Sequence, residues 1–149
     1  MSAPNESQPL ATAADTASAA SAASAAGAAG AATALSDADY QLHAQAMLAH
    51  IETTVDGWLD ADVIDIDSQR TGGLLELHFP NGSKIIINLQ PPLHEIWLAA
   101  KGGGFHYRWS AGRWLDTRDE SEFLAVLSAH ASLQADQALE FKAPAAKDR

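Results

Sequence analysis

The chain contains no cysteine. It therefore cannot hold a metal–sulfur cluster through thiolates, carry a persulfide or close a disulfide, and any part it takes in sulfur chemistry is indirect. Basic residues are also scarce: 9 Lys and Arg stand against 19 Asp and Glu, for a net charge of −10, and the first basic residue is Arg70. A phosphate backbone is bound through Lys and Arg, so nucleic acid is not an expected partner. A secretory signal needs a basic start and a mitochondrial transit peptide needs Arg, so no targeting segment is expected. No run of about 20 strongly apolar residues occurs, which excludes a membrane-spanning helix as the reading of any segment.

What is present divides unevenly. Residues 1–35 are mostly Ala with Ser, Thr and Gly, and their only large aliphatics are Leu10 and Leu35. Such a segment cannot bury a core, so it is expected to be a disordered Ala/Ser-rich tail, dispensable for folding. One folded domain is expected over residues 36–141, followed by a flexible tail over residues 142–149. Ser36 and Asp39 have the spacing of a capping box, and Tyr40, Ala44, Met47, Ile51 and Val55 then recur every three or four residues. This is one buried helical stripe, which Gly57 is expected to close or fray.

From Asp62 the period changes to two, the signature of strands. Alternation assigns an inner face to Ile64 and Ile66, then Leu75, Leu77 and Phe79, then Ile85 and Ile87, then Ile96 and Leu98, then Phe105, Tyr107 and Trp109. Their neighbours, Asp65 and Asp67, Glu76 and His78, Ile86 and Asn88, Glu95 and Trp97, His106 and Arg108, are too polar for a core and belong to a solvent face. Short turn signals between the runs imply an antiparallel meander. A last short strand over residues 113–115 leads to a second helix, expected to open at Asp119 with Glu122 three residues on and to bury Phe123, Val126, Leu127 and Ala131. The fold class is α+β: a two-layer sandwich of about five to six antiparallel strands, with an N-terminal and a C-terminal helix on one face.

Two features point to binding. Eight acids, Asp37, Asp39, Glu52, Asp56, Asp60, Asp62, Asp65 and Asp67, fall between residues 36 and 69 with no Lys or Arg among them. Oxygen donors without sulfur or clustered imidazole suit hard cations held weakly, with water completing the shell, and the same field attracts a basic protein. A merely solvated acidic face is the alternative. Trp97 is the second feature, since alternation places it outward beside Asn88; it is either a contact site or a half-buried ring flattened on its neighbours. The six histidines are scattered without a Glu-x-x-His pair, which gives structural zinc little support. The glycines at 102–104 lack the Lys-Ser/Thr of a phosphate loop and read as a hairpin turn.

The stretch TGGLLELHFPNGSKIIINLQPPLHEIWLAA, residues 71–100, resembles the frataxin signature, in which paired strands run through an Asn-x-Gln step to a Pro and then an Ile-Trp-Leu strand. With the acidic segment before it and GGGFHYRW and the second helix after it, the resemblance extends over about residues 36–141 and is to the bacterial form of the family. It implies a cytoplasmic, non-enzymatic, iron-binding protein of iron–sulfur cluster assembly, a monomer with iron-dependent oligomers conceivable. Iron would sit weakly, as Fe2+ or Fe3+, on Asp37, Asp39, Glu52, Asp56, Asp60, Asp62, Asp65 and Asp67. The same ridge would meet the cysteine desulfurase, and Asn88, Gln90 and Trp97 would contact the scaffold protein. The chain departs from the denser Glu-Glu-x-x-Asp-Asp segment of bacterial relatives, having Thr53 after Glu52 and Gly57 after Asp56, which implies a lower iron capacity. An acidic interaction module that never meets iron is one rival; an iron oxidase is another, and would need an enclosed carboxylate site.

Overall fold

The computed structural model describes residues 35–144. The expected 1–35 tail and the last five residues of the expected C-terminal tail lie essentially outside the described residues. Helix α1 spans Asp37–Asp60 and buries Tyr40, Ala44, Leu48, Ile51 and Val55. Leu48 takes the place expected for Met47, which is only half-buried. The helix also runs through Gly57, contrary to expectation. It ends one turn later in a Schellman closure: Val63 N–H donates to Trp58 O at 2.8 Å and Asp62 N–H to Leu59 O at 3.1 Å, with Asp62 left-handed at φ 64°. Packing explains the extra turn, because Trp58 lies against Phe141 with ring centroids 4.7 Å apart.

Six strands follow: β1 Asp67–Thr71, β2 Leu74–His78, β3 Lys84–Gln90, β4 Glu95–Ala100, β5 Gly103–Ser110 and β6 Arg113–Asp116. They form one antiparallel sheet in chain order. The first strand begins later than the run from Ile64 suggested. Its pairing is set by the turn at Gly72 and Gly73, which places Thr71 opposite Leu74 and Asp67 opposite His78. Gly72 takes φ 59°, which glycine adopts at no steric cost. Beyond His78 the partner strand turns away through Phe79, Pro80 and Gly82, so Ile64 and Asp65 have no strand to pair with. Ile66 is still buried ahead of the ladder.

Between β3 and β4 a 3-10 turn over Pro91–Leu93 ends at His94, left-handed at φ 54°. Helix α2 spans Phe123–Ala135, four residues later than Asp119 implied. Asp119 instead accepts the Ser121 N–H at 2.9 Å within a turn closed by Asp116 N–H to Ser121 O, and Glu120 there has φ 63°, which is incompatible with a helix. Glu122 is the N-cap, its carboxylate accepting from Leu124 N and Ala125 N. Leu124 is buried, whereas Val126 is half-buried.

Both helices cover the inner face, where Leu75, Leu77, Ile85, Ile87, Leu89, Ile96, Leu98, Tyr107 and Trp114 are buried. Tyr40 of α1 meets Trp114 edge-on and Phe123 of α2 meets Tyr107 edge-on. Phe105 and Trp109 lie nearer the rim and are half-buried, packed on His130 and His43. Past α2 the chain folds back: Leu139 and Phe141 are buried, Leu139 N–H donates to Ser132 Oγ at 2.8 Å and Phe141 N–H to Ser128 Oγ at 2.8 Å. Buried Gln134 ties two hairpins to α2, donating to Ser83 Oγ and Lys84 O and accepting from Lys101 N–H.

Candidate functional site

Five of the eight carboxylates, Asp37, Asp39, Glu52, Asp56 and Asp60, lie along α1; Asp62 and Asp65 follow it, and Asp67 lies on β1. Twenty-four helical residues extend about 36 Å, so Asp37 and Asp39 in the first turn stand far from Asp56 and Asp60 near the last. Asp56, Asp60, Asp62 and Asp65 are exposed. Asp67 opens β1, also exposed, and accepts from Gln69 Nε2 at 3.3 Å. Among the described residues, Glu52 and Asp37 are engaged by cationic or potentially cationic groups. Arg70 Nη1 donates to Glu52 Oε1 at 2.6 Å while its Nη2 donates to Gln45 Oε1, so the first basic residue after the acidic segment folds back onto the middle of the ridge. At the other end His94 Nε2 lies 2.7 Å from Asp37 Oδ1, its ring stacked on Tyr40. Among the described residues no three His, Cys, Asp or Glu side chains converge as a set that could hold a metal ion. The ridge is thus an open array of single carboxylates. Such donors can supply one or two oxygens to a hard cation and leave the rest of its shell to water.

Arg70 was not among the expected site residues. It continues the parity of the inward Ile66 and so points to the helix side of the sheet, a placement that the alternation from Ile64 already carries.

The uncovered sheet face has a different character. Register places Asn88, Trp97 and His106 in one row across β3, β4 and β5, and Gln90, Glu95 and Arg108 in the adjacent row. The three expected contact residues, Asn88, Gln90 and Trp97, therefore share one patch. Trp97 points outward but is half-buried: its ring stacks on that of its cross-strand partner His106, with centroids 4.1 Å apart and planes 7° from parallel. Its indole N–H donates to Glu95 Oε1 at 2.8 Å. Burial pushes the Glu95 carboxyl above its ordinary pKa, partly offset by that hydrogen bond. The His106 imidazole is held below its ordinary value by burial first and by the Arg118 charge second, against the opposing pull of Asp116. From the helix layer, the Tyr40 hydroxyl donates to the Glu95 carbonyl at 2.7 Å, and burial raises the Tyr40 pKa to about 12.

The family model of the frataxin-like domain matches residues 33–137, which include both faces. The chain belongs to the frataxin family. It is 54% identical over 110 residues to the iron-sulfur cluster assembly protein CyaY of Polaromonas sp. (strain JS666 / ATCC BAA-500), covering 74% of this chain and 95% of that protein. It is 52% identical over 109 residues to the protein of the same name from Burkholderia mallei (strain SAVP1), covering 73% of this chain and all of that one. Among solved structures, frataxin from Psychromonas ingrahamii aligns with a TM-score of 0.66 at 35% identity, over 73% of this chain and all of that one. The trimeric frataxin of the yeast Saccharomyces cerevisiae, complexed with ferrous, aligns at 0.55 and 24% identity over 64% of this chain and 87% of that one, and shares the fold. In frataxin terms the six-stranded sheet with two helices on one face is the family architecture. No helix among the described residues is long and apolar enough to cross a membrane.

Proposed function

We propose that this frataxin-family chain serves iron–sulfur cluster assembly as a binding and regulatory protein of the bacterial cytoplasm, not as an enzyme. The observation that carries the reading is identity above 50%, over nearly the whole length of the relatives, to proteins named for iron–sulfur cluster assembly. Iron is its cargo, held weakly by the exposed carboxylates of α1 and the approach to β1, with Asp56, Asp60, Asp62, Asp65 and Asp67 the most available. The same ridge draws in the basic surface of a cysteine desulfurase, and the patch of Asn88, Gln90 and Trp97 docks the scaffold protein. The chain acts as a monomer, with association confined to iron loading of the open array.

Two observations favour a second reading, an acidic interaction module without physiological iron: no three ligands converge among the described residues, and Glu52 is already paired with Arg70. Amide NMR titrations with ferrous iron and, separately, with the desulfurase distinguish the two. The first reading expects ferrous iron to broaden amides at residues 56–67, with midpoints set by several weak sites. Perturbation of that segment by the desulfurase alone, with no response to iron, would establish the second.

A further inference from the structure

The patch around Trp97 contains two residues that the docking reading does not use. Glu95 precedes Trp97 by two residues on the same face of β4, and His106 lies directly opposite Trp97 on β5. Together they restrict the indole in two different ways. The carboxylate takes its only hydrogen-bond donor, and the imidazole covers one of its faces almost in parallel. An indole left to itself on an open sheet samples several rotamers, each of which would have to be lost on docking at a cost in side-chain entropy.

The surroundings show that Glu95 is committed to this task. Its side chain is only 18% exposed, so the carboxylate is a costly group to bury on a face that meets solvent. The cation placed opposite it by the register, Arg108, pairs instead with Glu120, Nη2 to Oε2 at 3.5 Å. Among the described residues Glu95 then has the indole N–H at 2.8 Å as its side-chain hydrogen-bond donor, with the His106 Nδ1 3.9 Å away and Gln90 opposite it on β3. Its backbone is fixed as well, by the Tyr40 hydroxyl on its carbonyl.

We infer that Glu95 and His106 are positioning residues for Trp97, holding the indole pre-ordered in the orientation that the scaffold protein meets. This rests on the reading of the Trp97 patch as a docking face. The indole is then a rigid platform before any partner arrives, and removing either support should act mainly on the lifetime of the complex.

The test compares Glu95→Ala, Glu95→Gln, His106→Ala and His106→Phe with the parent and with Trp97→Ala, each checked for folding by circular dichroism. Two readouts are used: the Hε1 resonance and solvent exchange of the Trp97 indole in the free full-length chain, and dissociation from an immobilised desulfurase–scaffold complex. Glu95→Ala should shift that resonance and speed its exchange by roughly tenfold or more, because the acceptor is gone. Glu95→Gln keeps an amide oxygen in place and should restore most of the parent behaviour. His106→Phe should keep the stack that His106→Ala loses. Both alanine variants should dissociate several-fold faster than their conservative counterparts. An unchanged indole signature in both alanine variants would overturn the inference by itself. So would parent-like dissociation of both alanine variants while Trp97→Ala dissociates fast. If Trp97→Ala itself dissociates like the parent, the docking reading fails, and with it the functional claim for Glu95 and His106.

Discussion

Glu95 and His106 pull the stability of the folded chain in opposite directions as pH changes. The fold lowers the pKa of His106, so the unfolded chain binds more protons on falling below about pH 6.5, and stability is lost as pH drops from there through the depressed folded value. The fold raises the pKa of Glu95, so its contribution is fully present below about 4.5 and is lost as pH rises through the raised folded value. His106→Phe should therefore flatten the fall in melting temperature between pH 7 and pH 5, and an unchanged slope would contradict the assignment. Glu95→Gln should leave stability equal or up to about 1 kcal/mol higher at pH 7, an advantage that vanishes near pH 4. Tyr107 gives a separate test. Its hydroxyl is buried with no hydrogen-bond partner among the described protein groups, so Tyr107→Phe should be neutral or stabilising by up to about 1 kcal/mol in urea unfolding. At this scale the sequence was readable only in part. Alternation along β4 was enough to place Trp97 outward, but the imidazole stacked beside it depends on the pairing of Trp97 with His106, which is fixed by the hairpin connecting β4 to β5.

Helix α1 shows how packing overrides a local signal. Gly57 read as a terminator, yet Trp58 against Phe141 draws the helix on to Asp60, and a Cβ built at position 57 meets nothing within 4 Å. Gly57→Ala should consequently raise stability by roughly 0.5–1 kcal/mol through the unfolded chain and helix propensity, measured by chemical denaturation. The segment that causes the extension is itself part of the core. Ending the chain after Ala138 removes the buried side chains of Leu139 and Phe141, and should cost about 3 kcal/mol or more at roughly 1.5–3 kcal/mol each. A truncated chain with the parent melting temperature would show that residues 139–141 are peripheral. The two helices, the number of strands and the face assignment were legible because period-two and helical patterns report burial directly. The starts of β1 and α2 were not, because the first is decided by the length of its partner and the second by a turn around Asp116.

Over the whole molecule, charge is arranged more finely than the composition of −10 suggests. Glu52 is held by Arg70 with both side chains largely covered, whereas Asp56, Asp60 and Asp65 are exposed. Changing those three to Asn should weaken iron binding and slow association with a basic partner, flattening its salt dependence, while stability stays equal or rises. Glu52→Gln should behave differently, weakening the tie between α1 and β1 by about 1 kcal/mol with a smaller effect on iron. Equal effects of the two variants on iron titrations would contradict the division.

The strands are laid down in the order in which they are made, but α1 comes before all of them. The acceptor of the Tyr40 hydroxyl lies 55 residues further along the chain. At a synthesis rate of about 5–20 residues per second, α1 emerges roughly 3–11 s before that strand exists to receive it. During this interval Tyr40, Ala44, Leu48, Ile51 and Val55 form an apolar stripe with nothing to cover it. The acids flanking the stripe carry the same charge on every nascent copy. Two such copies that approach within about 10 Å therefore meet repulsion alongside the apolar stripe, which disfavours their pairing before the sheet arrives.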